Sequence, residues 1–151
     1  MPTYNEAMNL EHSVTELFKH NPGVSLLIVD DASPDGTGAV ADQLSAANNQ
    51  ISVLHRTAKT GLADAYKAGF DWGLKQKFDY LVEMDADGSH RAEDLPKLIA
   101  EANAHELVIG SRWVFGGSVQ NWPAYRLALS RGGNAYAKLM LGSKIKDMTA
   151  G

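Results

Sequence analysis

Met84-Asp85-Ala86-Asp87 carries the sharpest chemical potential in the chain. It ends the run Tyr80 to Met84, which predicts a buried strand, and residues two apart on an extended backbone point the same way. Both carboxylates can then face one ligand and hold a hard divalent cation, magnesium or manganese. An ion carried by one or two carboxylates keeps positions open for a diphosphate. A lone Asp-x-Asp is more often a solvated acidic loop, so the pair gains weight from its place. Two charges at a strand end repel one another and raise a pKa unless a cation compensates them.

Asp30 and Asp31 close a second aliphatic run, Val24 to Val29. Two carboxylate clusters at one sheet edge suggest a divided task, one holding metal and the other accepting hydrogen bonds from a base or ribose. Capping of the following turn by Asp30 and Asp31 is the alternative. Arg112, Arg126 and Arg131 form a basic set, and arginine forks suit phosphate oxygens; each taken alone also reads as an ordinary surface arginine. His55, His90 and His105 read as turn or solvent-facing residues, with His90 near the Asp pair. Trp113, Phe115, Trp122 and Tyr125 read as loop packing before they read as an apolar acceptor site. Gly36 to Ala41 formally matches a dinucleotide fingerprint, but six residues separate it from Val29, so it is set aside. No P-loop pattern occurs.

The elements that must position these residues follow from periodicity. Leu10, Val14, Leu17 and Phe18 predict a helix stopped by Asn21-Pro22-Gly23. Val24 to Val29 predicts a strand, and Thr37 is expected to cap a helix reaching about Asn48. Strand Ile51 to Leu54, helix Leu62 to Lys77, strand Tyr80 to Met84, helix Glu93 to Ala104 and strand Glu106 to Ile109 follow. A last helix is expected over Ala124 to Leu141. The alternation predicts an α/β fold, a mostly parallel sheet with helices on both faces, and ligands at the carboxyl ends of its strands. The stripe Ala65, Ala68, Gly69 and Gly73 reads as a close helix-to-sheet contact without chemistry.

Composition narrows the function classes. The 151 residues are 44% apolar, enough for one domain over 1–151 with a real core. A net charge of -4 argues against nucleic acid as a partner. There is no cysteine for disulfides or thiolate metal sites. No apolar run reaches the length of a membrane span.

Taken together, Pro2-Thr3-Tyr4-Asn5-Glu6, Val29 to Thr37, Gly61-Leu62, Met84 to Asp87 and Gly110-Ser111-Arg112 resemble glycosyltransferase family 2. Asn121-Trp122-Pro123, Arg126, Ser130-Arg131-Gly132 and Asn134 narrow the resemblance to its polyprenyl-phosphate mannose synthases. The resemblance implies a glycosyltransferase-A fold and inverting transfer of mannose from GDP-mannose to a polyprenyl phosphate, with Mg2+ or Mn2+. It implies that Pro2, Tyr4, Glu6, Val29, Asp31, Asp85, Ala86, Asp87 and Arg112 line the nucleotide-sugar site. Asp85, Asp87 and Ser89 would meet the metal. Arg126, Ser130 and Arg131 would meet the acceptor phosphate, and Asp87, Arg112 and Arg126 are the expected catalytic set. It further implies a peripheral enzyme at the cytoplasmic face of the membrane, with a separate or fused anchoring segment. The family pattern has a strand ahead of Pro2 and further residues past Gly151, so the chain is expected to be truncated at both ends. Another family 2 transferase using UDP-glucose, a noncatalytic nucleotide-sugar-binding subunit and a phosphoacceptor receiver domain are the rivals.

Overall fold

The computed structural model describes residues 1–111, 123–142, 145 and 147. The chain divides into two compact units, Met1–Ala100 and Glu101–Gly151. The first is built from β1 (Pro2–Thr3), α1 (Leu10–His20), β2 (Leu26–Asp30), α2 (Thr37–Ala47), β3 (Ile51–His55) and α3 (Leu62–Gln76). A 3-10 turn over Ala92–Asp94 leads into α4 (Leu95–Ala102). The second unit contains α5 (Ala124–Leu141).

Among the described residues the sheet has three parallel strands in the order β1-β2-β3. Pro2 lies against Val29 and Thr3 against Asp30, while β3 pairs with all of β2 from Leu26↔Ile51 to Asp30↔His55. Alternation along β2 explains the helices on its two faces. Leu26 and Ile28 join Leu10, Val14 and Leu17 of α1 and Ala41 of α2 in one buried cluster. Leu27 and Val29 face α3 from the other side, where a Cβ placed on Gly69 would lie 3.6 Å from Val29 Cγ2. The α/β expectation is borne out, and Gly69 of the small-residue stripe makes the close helix-to-sheet contact foreseen, whereas Gly73 lies against the Leu81 side chain.

Two predicted strands do not form. Residues 80–84 and 106–109 are extended or irregular without strand pairing. The 80–84 backbone pairs with none of β1, β2 and β3. The segment lines a cavity of about 330 Å³ whose facing walls include Met1, Leu27 and Val29, with Gly69 and Phe70 of α3 nearby. Phe78, Tyr80, Leu81 and Val82 accordingly remain substantially exposed. Apolar content made the segment strand-like, whereas a strand also requires a partner for its hydrogen bonds.

Met1 extends the β1 ladder by one residue. Its ammonium donates to Leu27 O at 3.0 Å and its carbonyl accepts from Val29 N at 2.9 Å. At the start of α2 the expected Thr37 cap is replaced by Gly36, whose φ of 94° suits glycine. The Thr37 hydroxyl instead donates to Asp35 Oδ1 at 2.6 Å and accepts from Glu6 N at 2.9 Å, tying the loop after β1 to α2.

Candidate active site

β1 and β2 run in parallel, so their carboxyl ends deliver Tyr4 and Glu6 on one side and Asp30 and Asp31 on the other. Pro2 and Val29 are buried in the register between them and serve as the floor of this edge. The loop after Thr3 is held by Asn5 N donating to Ser33 Oγ and Ala7 N donating to Asp35 Oδ2, each at 3.2 Å. Glu6 leaves its side chain to accept from Asn9 Nδ2 at 2.9 Å.

The two acids ending β2 diverge, as successive residues in a strand must. Asp30 turns toward α2 and His55, with Oδ2 3.8 Å from His55 Nδ1. His55 in turn is 2.8 Å from Asp42. Asp31 faces the loop after β3, where Arg56 Nη1 donates to Oδ1 at 2.5 Å and Gly61 N donates to Oδ2 at 3.3 Å. Asp31 is 4% exposed, and the guanidinium compensates a carboxylate that could not be buried alone. Arg56 also donates to Thr60 Oγ1, and Lys59 Nζ sits 3.4 Å from the centroid of the Tyr4 ring. Capping of the next turn, the alternative for these acids, holds only for a long 3.4 Å contact from Ser33 N to Asp30.

Asp85, Ala86 and Asp87 are fixed one by one from different elements. The Tyr66 hydroxyl, on the second turn of α3, donates to Asp85 Oδ1 at 2.7 Å. Burial and this neighbouring carboxylate push the Tyr66 phenol well above its ordinary pKa, so it stays a proton donor. Asp85 N donates to His90 Nδ1 at 2.9 Å, which gives His90 a backbone-anchoring place. Ala86 is buried, and its carbonyl accepts from Ser13 Oγ of α1 at 2.7 Å. Asp87 is exposed and accepts from Ser89 N at 2.9 Å. Partial burial pushes its pKa up, but the hydrogen bonds from Ser89 outweigh that and hold the carboxyl below the ordinary range. Asn21, the residue ending α1, donates to Ala92 O at 2.8 Å and closes the far end of the loop.

Gly61 and Tyr66 stand five residues apart at the start of α3, so Asp31 and Asp85 both address its first turns, a span of about 7.5 Å along the helix. Pro2, Tyr4, Glu6, Val29, Asp31, Asp85, Ala86, Asp87 and Ser89 all lie in the first unit, and of these Asp31 and Asp85 both meet the start of α3. Of the expected acceptor set, Ser130 and Arg131 lie on α5 in the second unit, half-buried and exposed respectively. Arg112 and the side chain of Arg126 lie outside the described residues, as do Trp113, Phe115 and Trp122.

The donor set suits a hard cation. It consists of carboxylate oxygens, with the Ser89 hydroxyl beside them in sequence. Among the described residues no three His, Asp or Glu side chains gather around one point. An ion at Asp85 and Asp87 would therefore complete its shell with substrate or water oxygens, as magnesium and manganese do with diphosphates.

Sequence reading missed Arg56, Lys59, Tyr66 and Ser13. The available signal for the first two was a basic loop directly after a strand of the same sheet. Ser13 and Tyr66 gave none, because their partners are 73 and 19 residues away.

The glycosyl transferase family 2 model matches residues 1–151. Over 153 residues the chain is 52% identical to a polyprenol monophosphomannose synthase of Mycolicibacterium smegmatis, covering 100% of this chain and 58% of that protein. It is 50% identical over 151 residues to an undecaprenyl-phosphate mannosyltransferase of Micrococcus luteus, covering 100% and 62%. A dolichol-phosphate mannosyltransferase of Pyrococcus furiosus is 40% identical over 151 residues, covering 98% of this chain and 42% of the relative. The chain therefore spans about three fifths or less of the length of these relatives. A match along its whole length, carried on a parallel α/β sheet with Asp30 and Asp31 at the end of β2, places the chain in glycosyl transferase family 2.

Proposed function

We propose that this chain carries the donor site of an inverting mannosyltransferase that moves mannose from GDP-mannose to a polyprenyl phosphate. The observation that carries the reading is that Tyr4 and Asp31 follow adjacent parallel strands and that Asp31 and Asp85 both meet the start of α3, with Asp87 two residues further along the loop. The names of the three relatives, all mannosyl transferases acting on polyprenol or polyprenyl phosphates, support the sugar and the acceptor class.

In this reading Tyr4 and Asp31 meet the nucleoside, with Pro2, Glu6, Val29 and Ala86 shaping the pocket. Asp85 and Asp87 hold Mg2+ or Mn2+ with Ser89 beside them. The ion, when bound, neutralises charge on the diphosphate leaving group. Arg112, Arg126, Ser130 and Arg131 hold phosphates, so that two anionic reactants can be brought together. A phosphate oxygen of the acceptor attacks C1 of mannose as the bond from C1 to the GDP oxygen breaks, giving a β-linked product. The acceptor is already an anion near neutral pH, so no strong general base is needed. The reaction belongs at the cytoplasmic face of a membrane, where a polyprenyl phosphate and a nucleotide sugar meet. No helix among the described residues is long and apolar enough to cross a membrane.

Isothermal titration of the chain with GDP-mannose, with and without Mg2+ or Mn2+ and with UDP-glucose as control, tests the donor assignment. Metal-dependent binding that favours GDP-mannose is expected. Preference for UDP-glucose, or no binding by the folded chain, overturns it.

A further inference from the structure

The three residues of the acidic motif are held in unequal ways. Residues 80–84 form no strand, so no ladder of backbone hydrogen bonds leads into Asp85 and fixes its direction. Its backbone is restrained by His90, but the side chain is restrained by Tyr66. Tyr66 itself sits on a rigid platform. Its helix neighbour Ala65 is 1% exposed, and Gly69 lets α3 lie against Val29 of β2. Its ring stacks on Phe70, one turn further along α3, with centroids 6.5 Å apart. The helix that the small-residue stripe brings close to the sheet is therefore the element that places a phenol against the acidic motif.

We infer that Tyr66 is a positioning residue for Asp85: its hydroxyl, 2.7 Å from Oδ1, sets the orientation in which this carboxylate receives a divalent cation. Partners of metal-binding carboxylates commonly carry such a role, and their loss weakens metal binding about 10- to 100-fold. The inference rests on the reading of Asp85 as a metal-binding residue in the proposed donor site. Tyr66 touches Asp85 alone in this role and acts on the ion only through it.

The test uses Tyr66→Phe, which keeps the ring and its stacking, with Asp85→Asn and the double variant completing a cycle. Mn2+ alone is titrated into each chain by electron paramagnetic resonance, then GDP is titrated with and without Mn2+. Tyr66→Phe is expected to weaken Mn2+ binding roughly tenfold and to leave metal-free GDP binding unchanged. In the Asp85→Asn background the same substitution should have no further effect. Unchanged Mn2+ affinity in Tyr66→Phe overturns the inference. So does an equal loss in the Asp85→Asn background, which would mark a general structural role. If the unsubstituted chain holds Mn2+ but neither GDP nor GDP-mannose, the donor reading falls and the positioning role is decided by the Mn2+ cycle. If it holds no Mn2+, both fall.

Discussion

Ser13→Ala offers a clean perturbation of the acidic motif from a distance. Ser13 is 6% exposed on α1, and its hydroxyl donates to the buried Ala86 carbonyl at 2.7 Å. The substitution removes one oxygen and leaves that carbonyl without its donor, which costs about 1–3 kcal/mol. Alanine returns about 0.5 kcal/mol through its better helix propensity, so the net loss is about 1.5 kcal/mol. With a urea dependence near 2 kcal/mol per molar, the unfolding midpoint falls by roughly 0.7 M. Thr15→Ala on the same helix is the control. Thr15 is exposed and its hydroxyl donates to Glu11 O at 2.8 Å, so its removal stays within about 0.5 kcal/mol. Urea titrations of both variants, followed by circular dichroism, decide the matter. Equal midpoints for Ser13→Ala and the unsubstituted chain would refute the view that α1 anchors the motif through this bond.

Arg56→Met strands the buried Asp31 carboxylate and is expected to cost about 3 kcal/mol, partly recovered by adding Asp31→Asn. A loss below about 1 kcal/mol in urea unfolding would show that Asp31 does not depend on this partner. Asp87→Ala is expected to reduce Mn2+-dependent GDP binding by 10-fold or more while leaving the fold intact, since Asp87 is exposed. Calorimetry showing normal metal-dependent affinity would remove Asp87 from the metal site.

Periodicity was enough to locate α1, β2, α2, β3, α3 and α5, because amphipathic spacing and β-branched runs act over a few residues. It also put Asp31 at the end of β2 and named Asp85 and Asp87 as a pair. The same local signals failed at 80–84 and 106–109, where apolar content resembled a strand but pairing depends on which backbone lies alongside. They failed at Thr37 too, since its hydroxyl is engaged by Asp35 and Glu6 N and Gly36 takes the cap position.

The sequence by itself determined the alternating α/β plan, the acids available for the site and the family. Only the tertiary structure decided which residues support those acids. Arg56 reaches Asp31 across 25 positions, Tyr66 reaches Asp85 across 19 and Ser13 reaches Ala86 across 73. Contacts of that separation leave no periodic trace in a single chain. They form because helix packing on the sheet brings distant polar atoms together, where leaving any one of them unpaired would cost free energy.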